Sequence, residues 1–286
     1  MEWYVPAGIA ITIAVMLSAS YFDWRYREVP DIHWWVLGLS GIVLTAISLM
    51  DDMRLEWAMM LMGSVMIVFY ILFDIEVSRI VSILYVITMA FLFVYPAVTS
   101  FDDQTVRCLL VIPVCFVIFY LMYSLGVLRG GADAKCLMVM AMMFQTYPEI
   151  WELPLIANPS LDIQCILSFP IAVLFHAALF SFAWLFWTVI RKIYRKDDPV
   201  QMMTLSCYRM SIEEARRSHV WPKQDAYNGM VVNVRGIPDE GALDRLEAVG
   251  AKDVWVTPII PFMVPITVAV VFIIVVGSLL NIPFSF

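Results

Sequence analysis

The chain has 286 residues, 62% of them hydrophobic and 15% charged, a balance that excludes disorder and argues for an integral membrane protein. A net charge of -7 leaves no global basic field, so any basic patch must be local and no nucleic-acid partner is expected. The five cysteines (Cys108, Cys115, Cys136, Cys165 and Cys207) include no C-x-x-C pair, which excludes a zinc knuckle and a dithiol motif. All but Cys207 lie in or beside apolar runs and read as small packing residues.

A membrane-crossing helix needs about 20 apolar residues. In chain order the candidate spans are Val5 to Phe22, Ile32 to Met50, Trp57 to Phe73, Ile80 to Ala97, Val106 to Leu128, Ala134 to Tyr147, Ile163 to Ile190 and Ile259 to Leu280. The first is not preceded by a basic stretch or followed by a small-residue cleavage site, so it reads as a retained span. Pro170 kinks the seventh or marks an early turn in it. Asp31 reads as a cap on the second span. The fold class is therefore mainly α, a polytopic bundle of about eight spans.

Basic residues set the orientation. With Asp23 on the cytoplasmic side, all of the 18 Lys and Arg except Arg54 and Arg107 fall inside, while the outer loops carry Asp51, Asp52, Glu56, Asp102, Asp103, Glu149, Glu152 and Asp162. The first span ends inside at Asp23, and the sixth opens inside at Asp133. Asp74 also ends a span on this face but has no glycine partner, and reads as interfacial.

Between the last two spans lies a soluble segment. A basic collar, Arg191 to Lys196, opens it and reads as a topology anchor. Met230 to Arg235 reads as a strand, Pro238 to Gly250 as a short helix with an acidic start and a glycine stop, and Asp253 to Thr257 as a second strand. The expected organisation is a membrane bundle over 1–190, a small cytoplasmic α+β domain over 191–257 and a last span over 258–286. The small domain is of marginal size to stand alone.

Two polar stretches stand out against this background. Asp23 heads Asp-x-Arg-x-Arg-x-x-Pro, with Arg25, Arg27 and Pro30. Asp133 closes Gly130-Gly131-Ala132-Asp133, flanked by Arg129 and Lys135. A carboxylate at a membrane edge is costly, which makes each a functional candidate, although an interfacial anchor or a self-neutralising polar turn would also explain either alone. Two aspartates in a partly dry site share a proton. The ionised one can take a proton from water, and the protonated one can donate to a carbonyl oxygen and then to a leaving amine. That chemistry needs no metal, cofactor or nucleophile. His-Glu-x-x-His and Gly-x-Ser-x-Gly are both missing from the sequence, and the three histidines are His33, His176 and His219. His176, in mid-span, reads as a hydrogen-bonded packing residue.

The Asp23 and Gly-Gly-Ala-Asp blocks together resemble the prepilin peptidases, membrane aspartic proteases of the Gly-x-Gly-Asp type, and within them the archaeal preflagellin (prearchaellin) peptidases. The run Val254 to Pro265 is also similar to the archaeal pattern entering its last span. The resemblance implies a membrane-embedded endopeptidase. It would remove the short basic leader from archaellins and other precursors with class III, type IV pilin-like signal peptides, on the cytoplasmic side of the cell membrane. It makes Asp23 and Asp133 the catalytic pair, and Gly130 and Gly131 a hinge that lets Asp133 approach Asp23 and an extended substrate. Arg25, Arg27 and Lys135 would support the site or face lipid headgroups. Two departures accompany it: Ala132 stands where the motif has its second glycine, and eight spans exceed the usual archaeal six, the excess lying between Trp57 and Val106. Without C-x-x-C motifs or a methyl-donor site, no methyltransferase activity is expected.

Two other classes fit parts of the sequence. A presenilin-like or signal-peptide-peptidase-like protease would share the Gly-x-Gly-Asp idea, but Asp23 follows Tyr21-Phe22 and the chain has no Pro-Ala-Leu. A proton-coupled transporter would place ionisable residues in mid-span and show repeated halves.

Overall fold

The computed structural model describes residues 3–73, 78–128, 130–195, 207–218, 220–234, 238–239, 241–258 and 261–284. The readings made of Asp74, Arg129, Lys196 and Arg235 fall outside these residues. The chain divides into two compact units, one made of Met1–Ala178 with Pro261–Phe286, the other of Leu179–Ile260.

The first unit is helical. Its helices are α1 (Tyr4–Tyr26), α2 (Ile32–Ser48), α3 (Leu55–Leu72), α4 (Arg79–Thr99), α5 (Gln104–Leu109), α6 (Val111–Ser124), α7 (Gly131–Met143), α8 (Leu161–Ile166), α9 (Phe169–Arg195, which in sequence crosses the unit boundary) and, near the end of the chain, α12 (Met263–Val275). α1, α3, α4 and the α5–α6 stretch Gln104–Ser124 are long and apolar enough to cross a membrane, and Ile32–Ser48, Phe169–Ala183 and Met263–Val275 are shorter apolar helices. This is a helical membrane protein. Each apolar run read from the sequence holds helix among the described residues, but α6 stops at Ser124 and α7 at Met143, short of the predicted ends at Leu128 and Tyr147, and α7 is too short to cross a membrane by itself. The α5–α6 break precedes Pro113, which has no N–H to continue the ladder. Pro170 stands in the first turn of α9, where a missing N–H costs nothing, so it begins the helix.

α7 is the best-buried element of the unit. Ala134 and every residue from Cys136 to Met143 are buried, and it packs on both α2 and α6. At 13 residues it is about 20 Å long at 1.5 Å per residue. A helix buried on all sides shows no amphipathic stripe, which is why its sequence looks featureless. Contact with α2 is backbone to backbone: a Cβ on Gly41 would lie 2.7 Å from the Met142 carbonyl and from Met143 Cα. α1 packs on α2 and α12, and a polar seam joins it to α12. Ser20 Oγ hydrogen-bonds Thr267 Oγ1 (2.6 Å), and Thr267 Oγ1 donates to the Met16 carbonyl (3.1 Å).

The second unit carries the small sheets. β1 (Tyr208–Ser211), β5 (Asp253–Pro258) and β2 (Val220–Pro222) form an antiparallel sheet in the order β1-β5-β2, and β3 (Gln224–Tyr227) pairs with β4 (Met230–Asn233) in a hairpin. Asn228 and Gly229 turn that hairpin with φ of 51° and 78°, the left-handed pair that a two-residue turn requires. α10 (Ile212–Arg217) and α11 (Ala242–Ala248) complete a core of Met210, Ile212, Ala215, Ala226, Leu246, Val254 and Val256. β4, α11 and β5 fall on the three elements read from the sequence.

Candidate active site

Asp23 lies in the last turn of α1, which ends at Arg27, a non-glycine residue at φ 61° whose N–H returns to the Asp23 carbonyl. The carboxylate reaches across to α12, where Asp23 Oδ2 accepts the backbone N–H of Met263 at 3.1 Å. Met263 opens α12, so Asp23 satisfies one of the unpaired donors at that helix start. Arg27 adds a positive charge close enough to act on Asp23. Its Nε and Nη1 are buried with no hydrogen-bond partner.

Asp133 is the third residue of α7, two after Gly131, with Gly130 at the N-cap. Its side chain folds back over Gly130: a Cβ there would meet Asp133 Oδ2 and sit 2.8 Å from its Cγ. Gly130 has an ordinary φ of -86°. The glycine is thus required for space, not for left-handed backbone. Gly131 is different, since its Cβ would meet the Tyr123 ring at 3.7 Å, a normal contact.

The Asp133 carboxylate lies within electrostatic reach of Asp23, so two residues 110 positions apart share one charged neighbourhood. Both sit at helix starts, Asp133 in the first turn of α7 and Asp23 on that of α12, where N–H groups favour negative charge.

The other sequence candidates divide. Arg27 belongs to the neighbourhood of Asp23. Arg25 is exposed on the last turn of α1. Lys135 turns to α2, where its Nζ donates to both oxygens of Asp31 at 2.8 and 2.9 Å. Asp31 stands at the N-cap of α2 but makes no side-chain cap; its carboxylate is committed to Lys135. The two described histidines of the membrane unit are tied down. His33 bonds Ser18 Oγ and the Pro30 carbonyl (both 2.9 Å). His176 bonds the Ala172 carbonyl (2.8 Å) and accepts the Leu279 N–H (3.2 Å).

Met263 is the residue that sequence reading overlooked. A backbone donor leaves no side-chain signature, and the only trace was the Pro-rich entry Pro261 to Pro265 that fixes where α12 starts. A cavity of about 510 Å³ in this unit lies elsewhere, lined by Tyr4, Gly8, Thr45, Gln145, Tyr147 and Gln164 at the helix ends opposite to Asp23 and Asp133.

No family profile matches the chain. It is 26% identical over 211 residues to a preflagellin peptidase of Methanocaldococcus jannaschii, covering 72% of this chain and 88% of that protein. It is 26% identical over 165 residues to a preflagellin peptidase of Methanococcus voltae, covering 54% of this chain and 66% of that protein.

Proposed function

We propose that this chain, which belongs to the preflagellin peptidase family, is a membrane aspartic endopeptidase with Asp23 and Asp133 as its catalytic pair. Its substrates are preflagellins and related precursors with type IV pilin-like leaders. It cuts the basic leader from the apolar segment at the cytoplasmic face of the cell membrane. The product keeps an unmodified amine.

The reading rests on one observation above the rest, the convergence of two carboxylates from α1 and α7 with Gly130 cleared of a side chain beneath Asp133. Their surroundings differ in a way that suits division of labour. Asp23 takes the Met263 N–H and has Arg27 beside it, contacts that favour placing the pair's negative charge on it, and in this reading it acts as the base. Asp133 carries the proton. Asp23 removes a proton from water as the oxygen attacks the scissile carbonyl, and Asp133 hydrogen-bonds and protonates the carbonyl oxygen. As the tetrahedral intermediate collapses, the proton held on Asp23 passes to the leaving amine and Asp133 regains its own. The pair ends as it began. Arg27, with two buried donors unused, is suited to hold a substrate carbonyl beside Asp23.

The test is cleavage of a preflagellin in membranes. Asp23→Asn and Asp133→Asn each lose processing by at least about 1000-fold while the protein stays folded, since neither proton transfer survives alone. Wild-type processing by either folded variant removes the dyad.

A further inference from the structure

The second unit buries its apolar side chains around Leu246, Val254 and Val256, with an exception at one place. Among the described residues of 207–258, the large apolar side chains left exposed are Tyr227, Met230 and Val231, at 57%, 67% and 45%. All three stand at the tip of the β3–β4 hairpin. Tyr227 and Met230 are cross-strand partners beside the turn and share one face, while Val231, opposite Ala226, belongs to the other. A hairpin that lies on a core is apolar on one face and polar on the other. This tip is apolar on both. It is also uncharged: Ala226 to Val234, between Asp225 and Arg235, contains no Asp, Glu, Lys or Arg. Among the described residues β4 pairs with β3 alone, so its other edge lacks a partner strand and has none of the lysines or prolines that guard such edges. At the turn, a Cβ on Gly229 would find nothing within 4 Å, so the turn stands in open space.

We propose that the tip from Tyr227 to Val231 is a membrane-surface anchor, an apolar wedge seated at the boundary between lipid headgroups and acyl chains. The chain enters this unit from α9 and leaves it into α12, both of which carry apolar stretches of membrane helix. Tethered at both ends, the unit is held at a bilayer surface, and lipid is the apolar partner always within reach. Met230 and Val231 there exchange water for acyl chain, and tyrosine is a residue type enriched at that boundary. A charge at the tip would have to leave water, and the tip has none. A second copy pairing along β4 would join strands of four residues, too little area for a stable dimer. The inference uses neither Asp23 nor Asp133 and stands apart from the peptidase reading.

The experiment uses the full chain, its native cysteines replaced, in phosphatidylcholine vesicles. An environment-sensitive dye is attached at Met230→Cys or, for comparison, at Glu213→Cys on the exposed side of α10. The dye at 230 should be quenched by lipid carrying a doxyl group high on its acyl chain and spared by aqueous iodide. The dye at 213 should behave in reverse, each contrast being about threefold or more. Adding Val231→Asp should return the dye at 230 to water, because the native side chains and not the dye seat the tip. Equal iodide quenching at 230 and 213, or no effect of Val231→Asp in a folded protein, overturns the proposal. Protection of the 230 dye from both quenchers marks a protein partner, a second copy or a precursor, and overturns it as well. If Val231→Asp fails to fold, the comparison of 230 with 213 decides alone.

Discussion

At the scale of single residues, Gly130 and Gly131 look interchangeable in the sequence and are not. A methyl group on Gly130 would occupy the volume of the Asp133 carboxylate, while one on Gly131 would touch the Tyr123 ring at ordinary distance. If Asp133 acts as proposed, we expect Gly130→Ala to lower precursor cleavage by about 100-fold, the cost of displacing its carboxylate by an ångström. Gly131→Ala should stay within a few-fold, and both variants should elute as folded protein. Equal loss in both, measured by initial rates in membranes, would count against the space argument. Motif reading found the glycines but gave backbone freedom as their reason, because the fold of Asp133 back over Gly130 is invisible in a string of letters. A second prediction concerns Asp225, whose buried carboxylate takes a two-pronged hydrogen bond from Arg245, Nε to Oδ1 at 2.9 Å and Nη2 to Oδ2 at 2.7 Å. The Arg245 guanidinium holds the Asp225 carboxyl below the usual carboxylate range. A group depressed in the folded state contributes stability above its unfolded value, about 3.9, and loses it as pH falls through the folded value. Hydrogen exchange across β3 and α11, corrected for intrinsic rates, should show protection falling below about pH 4 in the wild type. In Asp225→Asn it should be weaker by about 1–3 kcal/mol at neutral pH and flatter with acid.

Among the helices, placement of the site depends on α7, and α7 depends on glycine in its neighbour. Because Gly41 lets α2 meet the α7 backbone, Gly41→Ala must push the helices apart or strain them. Overpacking of this kind costs about 1–3 kcal/mol. We expect a lower thermal midpoint in detergent and reduced cleavage, since the displacement is transmitted to Asp133 along a short rigid helix. An unchanged midpoint would show that α2 yields without cost. Apolar runs of span length were legible because membrane burial demands nearly continuous hydrophobicity. β4, α11 and β5 were legible from valine-rich alternation and helix stop signals. β1, β2, β3 and α10 were not, because segments of three to six residues carry too little periodicity to register. The seam of Ser20 and Thr267 was equally silent, as hydroxyls in an apolar helix declare a partner only once the partner is known.

Over the molecule as a whole, charge and pairing tell one story. The two basic residues that break the inside bias each have an acidic companion, Arg54 with Asp103 at 3.1 Å and Arg107 with Asp162 at 3.4 Å. Such pairs lower the cost of a cation on the outer face, so the exceptions fit the orientation that the other basic residues favour. A sidedness test follows. In a background with the native cysteines replaced, a membrane-impermeant maleimide should label Asp102→Cys on intact cells and label Glu213→Cys only after lysis. The reverse pattern would invert the topology and with it the cytoplasmic placement of Asp23.

The hydrogen bond from Met263 to Asp23 spans 240 residues of sequence. Asp23 leaves the ribosome 240 residues before its backbone donor. During synthesis the carboxylate must wait, without that donor, while every intervening helix is inserted. The Asp23 carboxylate therefore gains its backbone donor only when α12 docks. A chain made only as far as the start of α12 would lack that donor, so the order of the polypeptide itself delays completion of the candidate site.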